Sequence, residues 1–88
     1  MSKVILFSLE NCVKCMQIKE MIKERDDIEI ITYPHDINKW SDEELSQAKQ
    51  YDVFDDLAQT APILCVDGQK KIGYLRIRKW LQDTGRLS

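Results

Sequence analysis

Two short stretches of this chain carry only apolar side chains: Val4, Ile5, Leu6 and Phe7 near the start, and Ile63, Leu64, Cys65 and Val66 in the second half. Four residues suit a strand better than a helix. A strand apolar on both faces has to be covered on both, which places it inside a sheet sandwiched between helices. With 88 residues, the chain has room for one domain and a modest core, so the covering elements must lie close by in sequence.

The intervening pattern supplies them. Residues 3–7 read as the first strand and residues 8–11 as a polar turn. From Cys12 the period changes: Cys15, Ile18 and Ile22, with Met21 alongside, recur at helical spacing, while Lys14, Gln17, Lys19, Glu20, Lys23 and Glu24 fill the other faces. This helix is expected to end near Asp26 and Asp27. Residues 28–33 are rich in β-branched side chains and form a second strand, ended by Pro34. Ser41 followed by Glu44 is a capping box, which starts a second helix running to about Gln50. A short helical turn is expected over residues 53–57. Residues 63–66 form the third strand. Asp67-Gly68 is a hairpin signal, and residues 70–73 return as the fourth strand. Tyr74, Ile77, Trp80 and Leu81 share one face of a last helix, with Gly85 as its C-terminal cap. The first half is a βαβ unit with a parallel strand pair and a right-handed crossover. The second adds a hairpin and a covering helix.

Composition narrows the function. The chain is 43% hydrophobic and 32% charged, which excludes disorder, and its net charge of -2 gives no general basic field for nucleic acid or anionic lipid. No stretch approaches the roughly 20 apolar residues of a membrane span, and the first apolar run is too short for a signal-peptide core. The expected state is a cytoplasmic monomer without nucleic-acid or membrane partners. Three cysteines, two of them close together, fit a reduced compartment rather than a secreted disulfide framework.

The informative motif is Cys12-Val13-Lys14-Cys15, placed between a strand and a helix. A cysteine at a helix N-terminus meets free amide hydrogens and the positive end of the dipole, which favour its thiolate. Lys14 adds charge of the same sign. Three residues on, Cys15 lies one turn further in, within reach of a disulfide with Cys12. The expected division of labour has Cys12 exposed and attacking, and Cys15 buried and resolving. Two cysteines at this spacing are also half of a zinc site, with Cys65 and His35 as the remaining candidate ligands. Small βα metal chaperones present such a pair to soft metals in a similar place.

Phe7-Ser8-Leu9-Glu10-Asn11-Cys12-Val13-Lys14-Cys15, together with Thr60-Ala61-Pro62, Val66-Asp67-Gly68 and Ile72-Gly73, resembles the glutaredoxin family over nearly the whole chain. The resemblance implies a thioredoxin-like α/β fold of glutaredoxin type: a βαβ unit plus a β-hairpin and a helix, giving a four-stranded mixed sheet with helices on both faces. It implies Cys12 and Cys15 as the redox pair. It also implies a cis Pro62 that turns the backbone of Ala61 outward to pair with substrate, with Thr60 beside it; Lys14 and Arg76 join Thr60, Ala61 and Pro62 in the expected substrate site as charges that attract a carboxylate. No bound cofactor or metal is implied. Glutathione is the expected co-substrate, and a disulfide-bearing protein the substrate, as for ribonucleotide-reductase-linked and phage-encoded members.

The chain departs from the family pattern in several places. Val13-Lys14 stands where Pro-Tyr is common, and Leu9 where many members carry a lysine for the glutathione carboxylate. Tyr74, Leu75 and Arg76 follow Gly73 in place of a second glycine and an acidic residue. The stretch 34–50 is long and polar. A carrier fed by thioredoxin reductase, using no glutathione, is the alternative. Other residues receive structural readings. Cys65 is a buried, inert thiol, His35 a solvated loop residue, and Trp40 and Trp80 are packing anchors. Asp42, Glu43 and Glu44 favour a helix N-terminus. The basic cluster Lys70, Lys71, Arg76, Arg78 and Lys79 is a solvated face.

Overall fold

The computed structural model describes residues 4–23 and 26–85. Lys3 and Glu24, assigned above to the first strand and to a polar helix face, lie outside the described residues. The elements in order are β1 (Val4–Leu9), α1 (Val13–Ile22), β2 (Ile28–Tyr33), a 3-10 turn (Ile37–Lys39), α2 (Asp42–Gln50), α3 (Phe54–Gln59), β3 (Ile63–Val66), β4 (Gln69–Ile72) and α4 (Tyr74–Asp83). The strands form one mixed sheet in the order β2-β1-β3-β4. β1 runs parallel to β2, from Val4 opposite Ile28 to Leu9 opposite Tyr33. β3 is antiparallel to both β1 and β4.

The two apolar runs are neighbours at the centre of this sheet, which explains their composition. Alternate residues of β1 serve different cores. Ile5 and Phe7, with Ile63 and Cys65 of β3, pack under α2 and α3 against Tyr33, Trp40, Ala48, Val53 and Leu57. Val4 and Leu6, with Leu64, pack on the opposite face against Ile18 and Ile22 of α1 and Ile77 and Leu81 of α4. Helices therefore cover both faces, as expected. No helix among the described residues is long and apolar enough to cross a membrane.

Several boundaries differ from the sequence reading. β1 continues through Ser8 and Leu9, which the polarity of Ser8 had assigned to a turn. The parallel partner β2 persists to Tyr33, and the fully buried Ser8 hydroxyl is satisfied by Thr32 Oγ1 at 3.0 Å and the Ile31 carbonyl at 3.3 Å. Tertiary pairing here overrides local polarity. β4 spans Gln69–Ile72, one residue earlier than expected, because Gly73 (φ 93°) leaves the extended conformation to cap α4. The short turn expected at residues 53–57 is the six-residue helix α3. Asp67 and Gly68 both have positive φ, 50° and 85°, the backbone of a tight hairpin turn, as the dipeptide predicts.

The long polar stretch after Pro34 is pinned by side chains. Asp36 caps the 3-10 turn through the Asn38 amide at 3.0 Å, and Trp40 Nε1 donates to the Pro34 carbonyl at 2.7 Å. The Trp40 ring stacks on Tyr33 with centroids 4.5 Å apart. Ser41 and Glu44 form the predicted capping box at the start of α2. Lys70 clamps the edge strand to the α2–α3 corner, reaching Asp56 Oδ2 at 2.7 Å and the Asp52 carbonyl at 2.9 Å.

Candidate active site

The register gathers the sequence-predicted residues at one end of the sheet. Phe7 of β1 lies opposite Ile63 of β3, which lies opposite Ile72 of β4. The chain leaving β1 toward Cys12, the segment Thr60-Ala61-Pro62 entering β3, and the segment Gly73–Arg76 leaving β4 therefore meet at the same edge. Strand ends of this kind are where open α/β sheets hold their ligands.

The turn from β1 into α1 is made by Asn11, whose φ of 56° is one that asparagine tolerates better than most residues. It delivers Cys12 to the N-cap of α1 in extended conformation, where Sγ accepts the amide of Cys15 at 3.2 Å. One of the free helix-start amides is thus aimed at the sulfur. No acidic residue lies in the first turn to oppose it, and Lys14 is exposed there. Cys12 is half-buried, whereas Cys15 has no solvent exposure. Burial pushes the Cys15 thiol up to about 12, and its hydrogen bond to the Cys12 sulfur acts the same way. The backbone of Leu9 and the charge of Lys19 pull in the opposite direction without prevailing. The pair is therefore unequal by construction: a reachable sulfur that accepts hydrogen bonds, and a buried one that keeps its proton.

Lys19 Nζ donates to Thr32 Oγ1 at 2.8 Å, and Thr32 meets Ser8, so a polar chain ties α1 to the sheet beneath the cysteines. The Ala61–Pro62 peptide is cis, and the Pro62 carbonyl accepts the Gly73 amide at 3.1 Å. That bond joins the Thr60-Ala61-Pro62 segment to the start of α4. Beside it runs a groove of about 500 Å³ whose walls include Lys14, Thr60, Gly73, Tyr74 and Arg76. Of the residues expected to meet substrate, Lys14, Thr60 and Arg76 share this groove. Pro62 is buried beneath it, and half-buried Ala61 packs toward the α2–α3 core. Tyr74, which stands in place of a second glycine, forms part of the wall while also packing on the α1–α4 core. Leu9 is partly buried against the other core and offers a carboxylate no charge.

His35, read from sequence as a solvated loop residue, is exposed as expected, and the structure adds its position. His35 stands at the same sheet end, its Nδ1 within 3.2 Å of the Glu10 carbonyl, two residues before Cys12. Nothing in the sequence links positions 10 and 35. Leu75 lines the groove and is 75% exposed. Its exposure was available from the helical period, since the face formed by Tyr74, Ile77 and Leu81 turns Leu75 outward.

Cys65 is buried on the α2–α3 side of the sheet, opposite Ile5 and Lys70, and desolvation raises its thiol above the ordinary value. Among the described residues, no three His, Cys, Asp or Glu side chains gather in a way that could hold a metal ion.

Burial also raises Tyr33, to about 12, with the charge of Glu44 adding to it; its hydroxyl donates to Gln47 Oε1 at 2.7 Å. Both Cys15 and Tyr33 bind their protons more tightly folded than unfolded, where the ordinary values are 9.0 and 10.0. The stability this provides is complete below those ordinary values and is lost as pH rises through them toward about 12. The urea midpoint of the reduced protein is therefore expected to fall steadily from about pH 8.5 upward. A midpoint constant to about pH 11 would contradict the burial of these two groups.

No protein-family model matches the sequence, and no curated protein does. Solved structures do resemble it in fold. A dithiolic glutaredoxin of Trypanosoma brucei brucei superposes with a TM-score of 0.61 at 23% identity, over 98% of this chain and 82% of that one. Glutaredoxin 1 of Francisella tularensis, in complex with cacodylate, superposes with a TM-score of 0.56 at 16% identity, over 96% of this chain and 95% of that one. The fold is thus the thioredoxin-like fold in its glutaredoxin form, as the sequence resemblance implied.

Proposed function

We propose that this chain is a thiol–disulfide oxidoreductase of the glutaredoxin kind, with Cys12 as nucleophile and Cys15 as resolving thiol. The carrying observation is the asymmetric pair: Cys12 Sγ at the open start of α1, accepting the Cys15 amide, above a Cys15 thiol that is fully buried and held protonated. The Cys12 thiolate attacks one sulfur of a substrate disulfide. The substrate S–S bond breaks, its other sulfur departs as a thiolate and takes a proton, and a mixed disulfide with Cys12 remains. Cys15 then gives up its proton and attacks the Cys12 sulfur, releasing the second substrate thiol. Two electrons have passed to the substrate, and the protein holds a Cys12–Cys15 disulfide. Burial favours the protonated form of Cys15, so its proton must leave as the bond to Cys12 forms.

Lys14, Thr60 and Arg76, with the backbone of Ala61 and Pro62, form the substrate groove in this reading. The electron donor is glutathione or a thioredoxin reductase. Glutathione carries two carboxylates, which Lys14 and Arg76 suit, and one ammonium, for which the groove walls offer no acidic side chain. An ammonium that meets only cationic and neutral side chains gains nothing from the groove, so the reading favours the reductase. The test is turnover of a small mixed disulfide with glutathione as sole reductant, beside the same reaction fed by thioredoxin reductase. The reductase-fed rate is expected to exceed the other by about tenfold or more. Equal rates would make glutathione the donor, and silence in both would overturn the oxidoreductase reading.

A further inference from the structure

The groove beside the thiols does not end at Arg76. The same side chain forms part of a second depression of about 300 Å³, lined also by Lys70, Lys71, Lys79, Trp80 and Asp83. Lys14, Arg76, Lys71 and Lys79 therefore follow one another away from the cysteines, along the start of α1, the first turns of α4 and the edge strand β4. Among the described residues none of these four has an ion-pair partner. Lys70, their neighbour, is different. Its charge is taken by Asp52 and Asp56, and its place on an edge strand has a structural reason, since edge lysines discourage sheet-to-sheet pairing. No such reason covers Arg76 and Lys79 on a helix.

Charge is segregated across the sheet. On the far face, α2 and α3 carry Asp42, Glu43, Glu44, Asp55 and Asp56 against the single Lys49. On the near face, α4 carries Arg76, Arg78 and Lys79 against Asp83. A chain of net charge -2 thus turns a positive face toward whatever approaches Cys12. Apolar side chains stand on the same face. Val13, next to Cys12, is 69% exposed, and Leu75 on the groove wall is 75% exposed. Covering this apolar surface with a bound segment is favourable.

We propose that this face docks an acidic polypeptide segment carrying the substrate disulfide, with an apolar residue beside the half-cystine resting on Val13 and Leu75 and carboxylates following onto Arg76, Lys71 and Lys79. The proposal rests on the redox reading of Cys12 and Cys15 and adds the substrate class. The basic cluster, read from sequence as a solvated face, becomes the recognition surface.

The test uses the full chain in its reduced form and three synthetic peptides, each with one disulfide and a leucine beside it. Their flanks carry Asp and Glu, Ser and Gln, or Lys. Single-turnover release of peptide thiol is followed at low and high salt. The acidic peptide is expected to react about tenfold faster than the neutral one at low ionic strength, and the Lys peptide slowest. The spread should collapse toward unity at about 1 M salt, where screening acts over roughly 3 Å. In the double variant Lys71→Glu, Lys79→Glu two of the four positive charges along the track are reversed, so the difference between acidic and Lys peptides should collapse toward unity. Equal rates for all three peptides in the wild-type protein would overturn the docking proposal and leave the redox chemistry standing. No thiol release from any peptide would overturn both.

Discussion

Cys12→Ser is expected to bring disulfide turnover down to the uncatalysed background, a loss on the order of a thousandfold or more, while Cys15→Ser retains the first chemical step and stalls after it. The difference follows from position. Cys12 is the thiol that solvent can reach, and its sulfur accepts the amide at the start of α1. A serine hydroxyl there has the same neighbours but is not ionised near neutral pH, so no nucleophile is presented. Cys15 has no exposure and cannot meet a substrate disulfide directly. Without it the mixed disulfide between Cys12 and substrate has no internal thiol to displace it, and accumulates as a species heavier by the mass of the substrate half. Intact-mass spectrometry under non-reducing conditions reads this directly. Full turnover by the Cys12→Ser protein would refute the assignment. So would a Cys15→Ser protein that forms no adduct and turns over like the wild type.

Phe7→Ala is expected to be the most damaging single change to the fold. Phe7 sits in the central strand with no solvent exposure, its ring stacked 6.3 Å from that of Tyr33 and tilted 5.2 Å from that of Tyr51. Truncation removes this ring from the core under α2 and α3 and leaves a cavity between helices and sheet. Such changes cost about 3–5 kcal/mol, against a total of about 5–15 kcal/mol for a typical domain. The urea midpoint should therefore drop by about a fifth or more, or the protein should be largely unfolded in buffer. A midpoint shift worth less than about 1 kcal/mol would show that this core is not packed as described. Because β1 also delivers Cys12, activity is expected to fall in step with the folded fraction.

The sequence was most legible where physics is local. Ser41 and Glu44 announced the start of α2, Asp67-Gly68 the hairpin, and the two apolar runs the central strands, because caps, tight turns and two-sided burial leave their mark on neighbouring residues. The Cys12–Cys15 pair at a strand-to-helix junction was equally plain. What depended on distant partners was not. Ser8 reads as a turn residue until Thr32 and Ile31 are seen to satisfy its hydroxyl. The α2–α3 corner gave no sign that Asp52 and Asp56 would capture Lys70 and leave Lys71 unpaired. The stretch after Pro34 read only as long and polar. It is a brace, held by Trp40 stacking on Tyr33 and donating to the Pro34 carbonyl. The groove itself was half legible. Thr60 came from the resemblance, and Lys14 and Arg76 from their charge, but its continuation into Lys71 and Lys79 is a matter of side-chain placement across two elements.

The central claim is that Cys12 and Cys15 exchange two electrons with a substrate disulfide. The most direct measurement mixes the fully reduced protein with one equivalent of a disulfide peptide in the absence of any other reductant. Free thiols are blocked with acid quenching at intervals, and both partners are mapped by mass spectrometry. The account predicts that each molecule of peptide reduced is matched by one Cys12–Cys15 disulfide, with a transient Cys12 adduct before it and Cys65 still a thiol throughout. Peptide left oxidised at completion, or electrons supplied through Cys65 rather than Cys15, would contradict it.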